Sequence, residues 1–153
     1  MKLNINFQIK DGKKIISRDT KGYKVLLNRI TKEFSQSKLK SELTITVVIQ
    51  TSKDGSKNQK GLNYRTLGRS FLEKKLIHIY HENHKNHDDV LETLAHEFGH
   101  VRQYYTRFSE FAKQTPLQWE KFADRYSKKI LKREITKSQT GKVRSIAAMN
   151  RSR

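Results

Sequence analysis

Residues 96 to 100 read His-Glu-Phe-Gly-His, and no other stretch restricts the fold of this chain so tightly. On an α-helix the two histidines are four positions apart, so they lie about 40° apart and one turn along. Both imidazoles then reach a single metal ion at about 2.0–2.1 Å. Glu97 is rotated about 100° from His96. Its carboxylate falls beside such an ion without binding it, where a base for a metal-activated water belongs. The apolar residues Leu91, Leu94, Ala95, Phe98 and Val101 mark the side of this helix that faces a core. His96, His100 and Gln103 share a different face, left free to line a cleft. Asp89 followed by Glu92 reads as a capping pair, and the helix runs to about Tyr105 or Thr106.

The 153 residues include no cysteine, so any metal must be held by histidine and carboxylate. Catalytic zinc takes three protein ligands and a water, which calls for one more side chain from another element. The next helix is well marked: Thr115 is a good cap, Pro116 suits the first helical position, and Gln118 sits three after the cap. Its buried stripe is Trp119, Phe122, Ala123, Tyr126 and Ile130. Glu120 and Asp124 share a face of this helix, and residues 106 to 115 form a loop long enough to fold it back on the first. Glu120 is then the candidate for the third ligand. Asp124, one turn on, accepts the second N–H of a metal-bound histidine, which fixes the tautomer and strengthens the ligand.

His96-Glu97-Phe98-Gly99-His100, nineteen intervening residues, then Glu120-Lys121-Phe122-Ala123-Asp124 resembles the HExxH…ExxxD pattern of the gluzincin, thermolysin-like, zinc metallopeptidases, in a compact minigluzincin-like form. The resemblance covers about 30 residues closely. It implies one zinc ion held by His96, His100 and Glu120, Glu97 as general base, and Asp124 behind a ligand. It also implies hydrolysis of peptide bonds in a protein or peptide substrate by a zinc-activated water. The implied fold is α+β: a small zincin-like domain in which an N-terminal helix and a short mixed or antiparallel sheet pack on the active-site helix and the following glutamate-bearing helix. In such enzymes an extended substrate lies along a sheet edge, and the strand at 75–81 (Ile77, His78, Ile79 and Tyr80) fits that place loosely. No histidine follows His100, so a donor to the reaction's oxyanion must come from elsewhere, with Tyr126, Arg125, Tyr104 and Tyr105 as candidates.

The remaining chain reads as follows. Leu3, Ile5, Phe7 and Ile9 alternate with polar residues, giving a half-buried strand, and Asp11-Gly12 turns it toward a short return at Ile15-Ile16. Tyr23, Leu26, Leu27, Ile30 and Phe34 give a helix over 20–36. Residues 41–50 form a β-branched strand, 51–61 a polar loop, and 64–71 is ambiguous. The expected organisation is one domain over 1–131 and a basic tail over 132–153, where seven basic residues meet one acid.

The chain carries 33 Lys and Arg against 15 Asp and Glu, a net charge of +18. Such a charge draws a protein to polyanions, so nonspecific association with nucleic acid through the net charge and the basic tail is an expectation. An alternative to the peptidase is therefore a catalytically weak or inactive basic zincin-fold module bound to nucleic acid or a nucleoprotein assembly. The first residues contain no apolar signal block and no stretch is apolar enough to span a membrane, so a cytoplasmic, intracellular location is expected. The other four histidines, His78, His81, His84 and His87, read as strand and loop residues near the cleft mouth rather than a second metal site.

Overall fold

The alternating and β-branched stretches of the sequence become strands, and the stretches of helical period become helices, in a computed structural model that describes residues 2–11, 14–16, 21–37, 41–51 and 66–132. The order is β1 (Leu3–Asp11), β2 (Lys14–Ile16), α1 (Lys21–Ser35), β3 (Leu43–Gln50), β4 (Gly68–Phe71), β5 (Leu76–Tyr80), a 3-10 turn (His81–Asn83), α2 (His87–Thr106), α3 (Phe108–Lys113) and α4 (Pro116–Leu131). This is an α+β architecture with a mixed five-stranded sheet, ordered β2-β1-β3-β5-β4. β1, β3 and β5 run parallel, while β2 and β4 pair antiparallel at the two ends. Gly12, most of the polar loop at 51–61 and the basic tail beyond Lys132 lie outside the described residues.

Register explains which face is apolar. Leu3, Ile5, Phe7 and Ile9 pair with Leu43, Ile45, Val47 and Ile49, and Val47 and Ile49 pair in turn with Ile77 and Ile79. Side chains alternate along a strand, so these residues share one face. All but the partly buried Ile5 and Phe7, which pack against it, form a single buried cluster with Leu26, Ile30 and Phe34 of α1, Leu94 and Phe98 of α2, and Tyr126 and Ile130 of α4. The amphipathic stripes of the helices therefore close on the sheet.

β5 is not an edge. It lies between β3 and β4, its Ile77 and Ile79 are fully buried in the core, and both rows of its backbone groups are committed to neighbours. Ile77, His78, Ile79 and Tyr80 therefore do not form a sheet edge, and the outermost strand on that side among the described residues is β4. On the other face of β5, His78 stacks on Tyr80 with ring centroids 4.8 Å apart. Burial, then the charge of Lys10, pushes the His78 imidazole down to about 4. An unfolded histidine titrates near 6.5, so between these values the unfolded chain binds the extra proton. Stability is thus expected to fall as pH drops from about 6.5 toward 4, by up to about 3 kcal/mol before solvent screening of this half-buried ring. Urea melts at pH 7.5 and 4.5 check it: His78→Gln should flatten the dependence, and parallel losses in both proteins would contradict it.

Candidate metal centre

α2 starts one turn earlier than its sequence indicated. Asn86, not Asp89, is the cap, its side chain accepting a hydrogen bond from the Asp89 backbone N–H at 3.0 Å. Asp88 and Asp89 then sit in the first turn, where the helix dipole favours negative charge. The two caps compete because both residue types satisfy the first N–H groups equally well. The connection from α2 to α4 also differs from a plain loop, because it holds the short helix α3. Trp119 stacks on Phe111 at 4.3 Å between centroids and donates from its indole N–H to the Phe111 carbonyl at 2.8 Å. That clasp turns the chain back. α4 begins at the expected capping box, with Thr115 and Gln118 bonded reciprocally and Pro116 behind the cap.

α4 returns antiparallel to α2: Glu120 meets His100, Asp124 meets His96, and Ser127 meets Glu92. The approach is close because Gly99 faces Ala123. A Cβ built on Gly99 would stand 2.8 Å from the Ala123 Cα and 3.2 Å from its carbonyl oxygen, both backbone-borne atoms that cannot swing aside. A glycine inside a helix costs about 1 kcal/mol relative to alanine, so its reason here is packing. Gly99→Ala should nevertheless destabilise, by about 1–3 kcal/mol as overpacking does, and move Glu120 off the histidines. Thermal melts with metal-affinity measurements check this, and a more stable variant with full affinity would contradict it.

Within this interface the polar atoms converge. His96 Nε2 lies 2.9 Å from Glu120 Oε1, His100 Nε2 lies 3.2 Å from Glu120 Oε2, and the two Nε2 atoms are 3.2 Å apart. His96 Nδ1 lies 2.9 Å from Asp124 Oδ1. One donor atom from each of His96, His100 and Glu120 falls within 4.8 Å of the others, a group able to hold a metal ion. The separations suit a tetrahedral ion: bonds of about 2.05 Å at the tetrahedral angle hold two ligand atoms about 3.3 Å apart. Burial pulls the His96 imidazole down, but the hydrogen bonds to Asp124 and Glu120, with the charges of Glu120 and Glu97, outweigh it and hold it at about 9. A metal entering here must displace that proton.

Glu97 is fully buried beside the triad, and its Oε1 accepts a 2.6 Å hydrogen bond from the Ser70 hydroxyl. Ser70 comes from β4, a stretch with no clear pattern in the sequence, and nothing there marked it. Gly68 of the same strand has the Glu97 Cγ 3.5 Å from where its Cβ would stand. The edge strand therefore packs directly on the helix turn that carries Glu97. The histidine face does not line an open cleft: His96, Glu97 and His100 are each 0 % exposed, because α4 and β4 dock over them. Solvent reaches Asp124, whose side chain is 31 % exposed.

The four suggested oxyanion donors scatter. Tyr126 turns toward α1, with its ring 6.3 Å from that of Phe34, and burial with the nearby Glu33 carboxylate pushes its phenol well above its usual value. Arg125 is exposed and lines a separate cavity with Glu33 and Lys129. Tyr105 donates its hydroxyl to the Leu72 carbonyl. Tyr104 continues the helix row of His96 and His100, but its ring packs on Phe108 and Phe111. Helical phase explains the first two: Arg125 and Tyr126 follow Asp124 by about 100° and 200° around α4.

Two of the remaining histidines join elements of the fold. His84 bridges the Tyr80 carbonyl at 2.8 Å and the Thr93 hydroxyl at 2.9 Å, tying the end of β5 to α2. His87 is the first residue of α2 and sets its ring edge-on to Tyr23 of α1. No helix among the described residues is long and apolar enough to cross a membrane. Compared with known proteins, the chain matches no family model, no curated protein and no solved structure.

Proposed function

We propose that this chain is a zinc-dependent metallopeptidase of gluzincin type. One observation carries the reading: two histidine Nε2 atoms and a Glu120 carboxylate converge at tetrahedral spacing with the Glu97 carboxylate buried beside them. Zinc, the cation that suits two imidazoles and one carboxylate, would supply a Lewis acid and an acidic water there. The chain's own residues do the rest. Asp124 accepts the His96 Nδ1 proton, leaving the Nε2 lone pair for the metal. Ser70 holds Oε1 of Glu97, so that Oε2 accepts the proton of the attacking water and delivers it to the leaving amine. A peptide added in extended form to β4 meets the sheet at the strand that touches Glu97.

Full burial of His96, Glu97 and His100 favours a second reading, in which the metal staples α2 to α4 in a basic module without turnover. Hydrolysis of casein by the zinc-loaded chain separates the two. Cleavage that disappears in Glu97→Gln supports the peptidase. Stoichiometric zinc with no cleavage, and a higher melting temperature than the metal-free chain, supports the staple.

A further inference from the structure

The helix that carries Glu120 has a second, very different side. Its only acids are Glu120 and Asp124, and both are turned inward to the histidines. Lys121, Arg125 and Lys129 are exposed at every fourth position, and Lys132 follows. Positions four apart on a helix fall on one face, so Lys121, Arg125 and Lys129 form a row about 12 Å long, with Lys132 at the helix cap beyond it.

Beside the row lies a cavity of about 300 Å³ whose walls include Arg107, Phe122, Arg125 and Lys129. It adjoins a second, of about 490 Å³, through the shared residues Arg102, Arg107 and Glu110. Two acids, Glu33 and Glu110, line this groove against the four cations Arg102, Arg107, Arg125 and Lys129, so it stays net positive. Glu33 is engaged by Arg102 through contacts of 3.0 to 3.1 Å. Glu110 stands 3.8 Å from Arg107 with both side chains more than half exposed, where an ion pair contributes at most about 1 kcal/mol. Phe122 is half-buried in the wall, with the Arg107 guanidinium 6.0 Å from its ring centroid.

A cationic groove with an aromatic ring in its wall is the arrangement that takes an unpaired polynucleotide strand, with phosphates on the cations and a base on the ring. A closed duplex offers no base face to Phe122, and a flat anionic membrane does not enter a groove. We propose that the groove where α4 meets the α2–α3 corner binds single-stranded nucleic acid, with phosphates on Arg107, Arg125 and Lys129, continuing along the exposed row to Lys121, and one base against Phe122. The site is independent of the metal, and it puts the bound strand on the back of the helix that supplies Glu120.

The test uses the full chain and a labelled oligothymidylate, with affinity measured across a salt series. Each phosphate neutralised on a single strand contributes about 0.7 to the slope of log affinity against log salt. Arg125→Gln/Lys129→Gln should therefore lower the slope by about 1.4. Lys24→Gln/Arg29→Gln removes two exposed cations of α1 and should leave the slope nearly unchanged. Phe122→Leu should weaken binding about 10-fold without changing the slope. Circular dichroism verifies that each variant is folded. Equal losses in the two charge variants would reduce the effect to net charge and overturn the site. Absence of binding, or tighter binding of a duplex of equal charge that ignores Phe122→Leu, would overturn it as well.

Discussion

Glu97→Gln is expected to abolish peptide hydrolysis and leave zinc in place. Gln keeps the shape of the side chain, and its Oε1 can still accept the Ser70 hydroxyl that now sits 2.6 Å from Glu97. It cannot accept a proton from water. A positioned general base contributes about 10²–10⁴-fold, so kcat/KM should fall by at least that factor. Glu97 is not among the three residues whose donor atoms converge on one point, so zinc content by elemental analysis should match wild type. The paired measurement makes the substitution informative: lost activity with lost zinc would make Glu97 a structural residue, and equal activity would assign cleavage to another group.

The second large effect is expected at Glu120. Its two carboxylate oxygens bridge His96 and His100 at 2.9 and 3.2 Å, so among the described residues it is the acid that touches both. Removing a residue that merely supports a ligand lowers metal affinity about 10–100-fold, and removing a ligand should exceed this. Glu120→Ala should therefore bind zinc more than about 100-fold more weakly in a chelator competition. Glu110→Ala, which removes an exposed acid from α3, serves as control and should bind as wild type does. Unchanged stoichiometric binding by Glu120→Ala would place the third ligand elsewhere.

Much of this site was legible because helices write themselves locally. The apolar spacing of α2 and α4, the capping box at Thr115 and Gln118, and the phase of His96, His100, Glu120 and Asp124 all follow from a period of 3.6 residues. Sheet order is different, since it depends on pairings between remote segments. Sequence alone places β5 at an edge because β4 is four residues long and contains Gly68 and Ser70, too short and too polar to show an alternation. With β4 unseen, Ser70 had no visible role. The open cleft failed for a related reason: once Gly99 accepts Ala123, α4 covers the histidine face that an isolated helix would expose. The bridging role of His84 is not visible in the sequence because its partners, the Tyr80 carbonyl and the Thr93 hydroxyl, meet only when the 3-10 turn brings β5 onto α2. Arg125 and Tyr126 had suitable chemistry, and only helical phase directs them away from the metal centre.

Burial sets a requirement on the peptidase. His96, Glu97 and His100 expose no surface, so turnover needs movement of what covers them, whereas metal binding needs only ion entry past the partly exposed Asp124. Zinc occupancy is therefore separable from cleavage, and it is the more basic claim. Crystals grown with zinc and measured on both sides of its absorption edge test it most directly. One anomalous peak is expected about 2 Å from His96 Nε2, His100 Nε2 and a Glu120 oxygen. A zinc-bound crystal whose only peaks lie away from those three side chains would contradict the assignment.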